Sequence, residues 1–191
     1  AVERLASAAG MEVPRSSPEE VQREKQRGGL LEAVEAATVW YEQRLRGPEG
    51  KVALDYFTAR GLDSEIIAKF RLGYAPPVSR GEASRLSADL QRQGFEAKTL
   101  LEAGLLTAPD DGRAPYDFFR GRAMFPIADG RGRVIAFGGR VLGDGEPKYL
   151  NSRDTPLFDK RRTLYNLALA REASRDASEV IVAEGYMDVI G

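Results

Sequence analysis

The chain has 191 residues, 42% of them apolar, enough to bury a core and incompatible with wholesale disorder. It contains no cysteine and no histidine, which excludes disulfides, Cys/His zinc sites, cysteine nucleophiles and histidine-based triads from this chain. The net charge of −1 hides a pattern: residues 1–112 carry 15 Lys/Arg against 18 Asp/Glu, residues 113–162 carry 11 against 6, and residues 163–191 carry 2 against 5.

In chain order, AVERLASAAG is a short amphipathic segment closed by Gly10, expected to be the tail of a preceding module. MEVPRSSPEE follows as a linker that becomes a helix start. Ser17 suits the N-cap, Pro18 the first helical position, and Glu19-Glu20 the positive end of the helix dipole. Apolar spacing predicts a long helix to Arg46, with Gly28-Gly29 marking a break and Gly47-Pro48 an end. Short helices are predicted over 52–60, from Asp63 or Ser64 to Phe70, over 82–93 and over 96–103, with RLGYAPP extended between them.

The character then changes. Two β-rich runs flank Asp129-Gly130-Arg131-Gly132, a strong hairpin signal. Gly138-Gly139 signal a bulge or a close backbone approach. An extended segment is predicted over 148–152, a helix over 163–171 and a terminal strand over 179–183. No apolar run approaches the roughly 18 residues that span a bilayer, and no secretory segment opens the chain. The expected location is the cytoplasm, with no membrane partner. The chain begins with Ala rather than Met, and the expectation is a piece of a longer protein.

Two stretches carry chemistry. EGYMD follows the apolar run Val180-Ile181-Val182-Ala183, where an open α/β sheet presents its ligands. Glu184 there suits a divalent metal or a general base. The plainer alternative is a solvated acid that caps the next helix. The basic block is the second stretch: ten of its eleven cations lie between Arg120 and Arg162, interleaved with Phe118, Phe119, Phe125, Phe137, Tyr149 and Phe158. Cations neutralise phosphates and aromatic faces stack on bases. The plainer alternative is a solvated face, and it is expected to hold for Arg131 and Arg133 in the turn and, as core, for Phe125 and Phe137.

FRGRAMFPIADGRGRVIAFGGRVL, PKYLNS, PLFDKRRTLYNL and VAEGYMDV, preceded by RGLDSEIIAKFRLGYAPP, resemble in order and spacing the polymerase domain of bacterial DnaG-type DNA primase. The resemblance covers nearly the whole chain and implies an enzyme that makes short RNA primers on single-stranded DNA during replication. The implied fold is α+β: a helical N-terminal part, a small mixed β-sheet subdomain, and the first strand of an α/β Toprim fold at the C-terminus. The implied divisions are residues 1–16 as the tail of a zinc-binding module and linker, 17–176 as the N-terminal subdomain, and 177–191 as the start of Toprim. Glu184 matches the family's metal-linked catalytic glutamate, and Asp188 ends the same motif. Arg120, Arg122, Arg140, Lys148, Tyr149, Asn151 and Lys160 match its basic-groove motifs, and Arg60 matches an upstream arginine.

The resemblance further implies Mg²⁺ or Mn²⁺ in the complete Toprim site and zinc only in the absent N-terminal module. The implied partners are a single-stranded DNA template, ribonucleoside triphosphates, and a replicative helicase bound through a module absent here. Further Toprim aspartates fall beyond Gly191, and the chain alone is not expected to polymerise. The alternatives are a non-catalytic single-stranded-DNA-binding module and another Toprim enzyme; PKYLNS and the hairpin motif argue against the latter.

Overall fold

The computed structural model describes residues 17–78, 84–175, 177 and 179–191. The expected tail at 1–16 and the expected helix start at Glu82 lie outside the described residues. Helix α1, Pro18–Arg46, opens with a capping box: Ser17 Oγ accepts from the Glu20 amide at 3.2 Å and the Glu20 carboxylate accepts from the Ser17 amide at 2.7 Å. The break expected at Gly28-Gly29 does not occur, and the helix runs through both. Two glycines cost a helix about 2 kcal/mol relative to alanine. The buried face from Leu30 to Leu45 and the satisfied cap offset that.

A 3₁₀ turn, Pro48–Gly50, leads into α2, Lys51–Ala59, and α3, Ser64–Lys69. Asp63 caps α3 by accepting from the Ile66 amide at 2.8 Å. Strand β1, Gly73–Ala75, is followed by α4, Arg85–Arg92, and α5, Ala97–Glu102. Asp117 ties α4 down, accepting from the Leu86 and Ser87 amides at 3.1 and 3.2 Å and from the Ser84 hydroxyl. Asp117 belongs to β3, Tyr116–Asp117, which pairs with β2, Leu106–Thr107.

The principal sheet adds β4, Arg122–Ala128, β5, Val134–Val141, and β6, Tyr149–Asn151, in the order β1-β4-β5-β6. Every pairing in it is antiparallel, so the sheet is not the mixed one expected. The predicted hairpin joins β4 and β5. Asp129 builds its turn, its Oδ1 accepting from the amides of Arg131 at 2.9 Å and Arg133 at 3.0 Å. The register shift falls at Ile127/Ala128, not at Gly138-Gly139, where close approach is the reason for the glycines.

Strand alternation divides the sheet into two faces. Gly73, Met124 and Gly139 lie on the face that α1 covers, where a Cβ on Gly73 would meet Tyr41. Tyr74, Ala123, Phe125, Gly138, Arg140, Tyr149 and Asn151 lie on the other. There Phe57 of α2 meets Phe125 edge-on at 5.8 Å. So each face has its own core, one around α1 and one around α2.

Two C-terminal expectations change. The helix predicted from Thr163 begins only at Leu167, as α6, Leu167–Ala173. The Asp159 carbonyl accepts from the Thr163 hydroxyl at 2.8 Å, its carboxylate from the Arg161 amide at 2.9 Å, and Asn166 has φ 61°. That turn chemistry consumes the first predicted helical residues. The Toprim strand predicted at 179–183 is not formed. Ile181 is 92% and Val182 87% exposed, and a strand without a hydrogen-bonded neighbour has nowhere to put its backbone groups or side chains. Helix α7, Tyr186–Ile190, follows. Among the described residues, no helix is long and apolar enough to cross a membrane.

Candidate nucleic-acid interface

Arg60, Arg140 and Tyr149 are brought to one place. Arg140 stands opposite Tyr149 across β5 and β6. Its guanidinium carbon lies 4.5 Å from the ring centroid of Tyr56, on α2, and that of Arg60 lies 5.5 Å from the same centroid. Arg140 also donates from Nη1 to the Val141 carbonyl at 3.1 Å. Burial pushes the Tyr56 hydroxyl pKa up; the Arg140 charge lowers it, neighbouring Tyr149 raises it and Arg60 lowers it, leaving it above the ordinary value. Tyr149 remains exposed, with its ring open to stacking.

Asn151 lies on the same face. Its Oδ1 accepts from the Tyr186 hydroxyl at 2.7 Å. Tyr186 stacks on Phe125 with centroids 5.0 Å apart, and its ring fills the space that a Cβ on Gly138 would occupy. Burial pushes the Tyr186 pKa up to about 12. The turn that bears Glu184 is thereby docked onto the basic face two residues from Glu184 itself. Glu184 is exposed, and α7 is N-capped by Gly185 without a side-chain hydrogen bond, so Glu184 does not cap that helix. Asp188 folds back so that its carboxylate borders Gly185.

Arg122 sits differently. Alternation places it on the face of the sheet that α1 covers, and it is 6% exposed. Its Nη1 donates to the Gly139 carbonyl at 3.2 Å and the Pro147 carbonyl at 2.9 Å, and burial pulls its pKa down. It braces the β5–β6 connection that leads to Lys148. Arg120 is exposed over the Tyr116 ring at 4.7 Å. Among the described residues, Lys148 and Lys160 are exposed and make no side-chain hydrogen bond or ion pair.

Between Arg120 and Arg162, one cation is ion-paired among the described residues: Arg133, to Asp129 at 2.7 Å in the hairpin turn. Partial burial raises the Asp129 pKa, but the Arg133 guanidinium and the turn amides outweigh it and hold the carboxyl below its usual range. Arg131, at the tip, is exposed as expected, and Phe125 and Phe137 are core. Sequence reading missed Tyr56 and Tyr186, because an aromatic at helical spacing carries no sign that cations or a glycine from another element will meet its ring.

Metal ligation was the other expectation. Among the described residues, no group of three or more His, Cys, Asp or Glu side chains is placed to hold a metal ion. Glu184 and Asp188 are two carboxylates, and Mg²⁺ held by one or two carboxylates also needs substrate phosphates and water to complete its oxygens.

An α+β domain with an unneutralised cationic and aromatic sheet face has the charge and the stacking surface that suit a polyanion. The family defined by the DNA primase catalytic core, N-terminal domain, matches residues 40–171, and the chain belongs to it. A DNA primase of Pseudomonas putida is 50% identical over 193 residues, covering 100% of this chain and 29% of that protein. The chain thus spans about three tenths of the length of that curated relative. A DnaG primase catalytic domain bound to single-stranded DNA superposes with a TM-score of 0.75 at 43% identity, over 87% of this chain and 52% of the other. The RNA polymerase domain of Mycobacterium tuberculosis primase DnaG, in complex with double-stranded DNA, gives 0.78 at 36% identity, over 86% and 51%. The zinc-binding and RNA polymerase domains of the Aquifex aeolicus primase give 0.74 at 30%, over 99% and 43%.

Proposed function

We propose that this chain is the template-holding part of a DNA primase, which synthesises short RNA primers on single-stranded DNA from ribonucleoside triphosphates during replication. The observation that carries the reading is the unneutralised cationic face, in a chain of the primase catalytic-core family. Arg60, Arg120, Arg140, Lys148 and Lys160 bind phosphates of the template or the incoming nucleotide. Tyr149 stacks on a base, and Asn151 hydrogen-bonds it or its sugar. Arg122 contributes by bracing the loop that carries Lys148.

Residues 17–176 form the N-terminal subdomain on this reading, and 177–191 begin the Toprim part, with residues 1–16 leading from a zinc-binding module. Likeness to the Aquifex aeolicus zinc-binding and polymerase domains over 99% of this chain supports that division. Glu184 is the catalytic glutamate, acting as a ligand or as a proton acceptor. Mg²⁺ or Mn²⁺, bound by a fuller carboxylate set, would neutralise charge developing on the reacting phosphate. Contact with a replicative helicase falls to another part of the protein, and the setting is the bacterial cytoplasm.

The test is fluorescence anisotropy with single-stranded DNA across a salt series, for the chain and for Arg140→Ala and Lys148→Ala. Binding that falls with salt and is weakened by both substitutions supports the reading. Binding that is absent, or that ignores both, overturns it. Because no third ligating side chain joins Glu184 and Asp188 among the described residues, the chain is expected to bind DNA without making primers. Template-dependent product from the chain with Mg²⁺ or Mn²⁺ would refute that.

A further inference from the structure

Tyr56 has no charge and no place among the sequence motifs, yet two cations meet on it. Arg60 lies one helical turn along α2, and Arg140 arrives from β5; both guanidinium groups stand within 5.5 Å of the ring centroid. Neither is ion-paired among the described residues. Two like charges gathered without a counter-anion repel, at an energetic cost that falls only when something between them is attractive. The ring face of Tyr56 is that group, because its quadrupole attracts cations. Arg140 Nε is buried without a hydrogen-bond partner, and the guanidinium is held from Nη1 by the Val141 carbonyl at 3.1 Å and by the Tyr56 ring. Tyr149, the cross-strand neighbour of Arg140, also borders the Tyr56 hydroxyl.

We infer that Tyr56 is a positioning residue: its ring holds Arg60 and Arg140 as a preset pair that neutralises the phosphate backbone of one DNA strand. The inference rests on the proposed DNA-binding role of this face. Preorganisation is where the gain arises, since the two long side chains then lose little freedom when the strand arrives.

The test is a double-mutant cycle read by anisotropy with single-stranded DNA over a salt series, with thermal unfolding of each variant as a control on folding. Tyr56→Leu is expected to weaken binding about five-fold at low salt. It should also make the dependence of log K on log salt shallower, because displaced guanidiniums release fewer counterions. Tyr56→Phe, which keeps the ring face, restores both affinity and slope. In an Arg60→Ala/Arg140→Ala background, Tyr56→Leu has no further effect. If Tyr56→Leu lowers the unfolding midpoint, Tyr56→Met, similar in reach and apolar, replaces it in the cycle. Equal losses with and without the arginines would overturn positioning and make the ring a contact in its own right. Unchanged affinity in both Tyr56→Leu and Tyr56→Met, with both arginine substitutions weakening binding, would overturn it while leaving the DNA-binding face intact. If neither arginine substitution weakens binding, the DNA-binding reading fails and the positioning role fails with it.

Discussion

The flank of α1 and the group around Tyr56 use arginine in opposite ways. Around α1, cations are spent on acids: Arg71 reaches Glu35 at 2.8 Å and Glu42 at 3.0 Å, Arg85 reaches Glu49 at 2.8 Å, and Arg44 reaches Glu49 at 3.3 Å. Hydrogen bonding to Glu35 and then to Glu42 raises the Arg71 pKa against the opposing effect of burial. On the sheet face, Arg60 and Arg140 meet a tyrosine ring instead of a carboxylate. Charges already paired inside the fold have little left to offer a polyanion. Unpaired charges add little to the fold and much to association. The bulk charge of the chain says nothing of this division; the pairing does.

Four substitutions break or sharpen that contrast, beginning with the largest. Phe125→Ala empties the core under the basic face, where Phe125 is 0% exposed between Phe57 and Tyr186. The expected loss is about 3–5 kcal/mol by urea unfolding. A loss under 1 kcal/mol would mean that the cationic face does not depend on this packing. Gly138→Ala is next, at about 1–3 kcal/mol, because its methyl group takes the place of the Tyr186 ring. In a spectrophotometric titration, the tyrosine near 12 should then move down toward the ordinary value as Tyr186 regains water. No such movement would show that the Glu184 turn is held by something else.

Lys148→Ala removes an unpaired charge. Unfolding free energy should stay within about 0.5 kcal/mol of the parent. Affinity for single-stranded DNA should fall a few-fold, with a salt slope smaller by about one. A large stability loss with unchanged affinity would reverse the assignment of roles. Glu49→Gln has the smallest effect and tests the paired side. Burial raises the Glu49 pKa, but hydrogen bonds and charge from Arg85 and Arg44 outweigh it, so the folded value lies below the unfolded one. That stabilisation is present above the usual glutamate value and disappears as pH falls through the lowered one. Glu49→Gln should cost under about 1 kcal/mol at neutral pH and flatten the acid limb of the stability curve. An unchanged acid limb would remove Glu49 from the account.

Local chemistry was legible in the sequence. Ser17-Pro18-Glu19-Glu20 marks the start of α1, Asp63 caps α3, and Asp129-Gly130-Arg131-Gly132 turns the hairpin, because each is decided by hydrogen bonds within a few residues. The cationic block was legible too, since composition needs no fold. What only the tertiary structure decided is which cations point outward and what they meet. Arg120 and Arg122 are two residues apart, yet Arg122 is buried, because the register of β4 on β5 aims it at the face beneath α1. Glycine at 138 signalled a close approach, but only packing names Tyr186 as the group that fills it. Val180-Ile181-Val182 has the composition of a strand and is coil, because a strand is made by its neighbour and not by its own side chains.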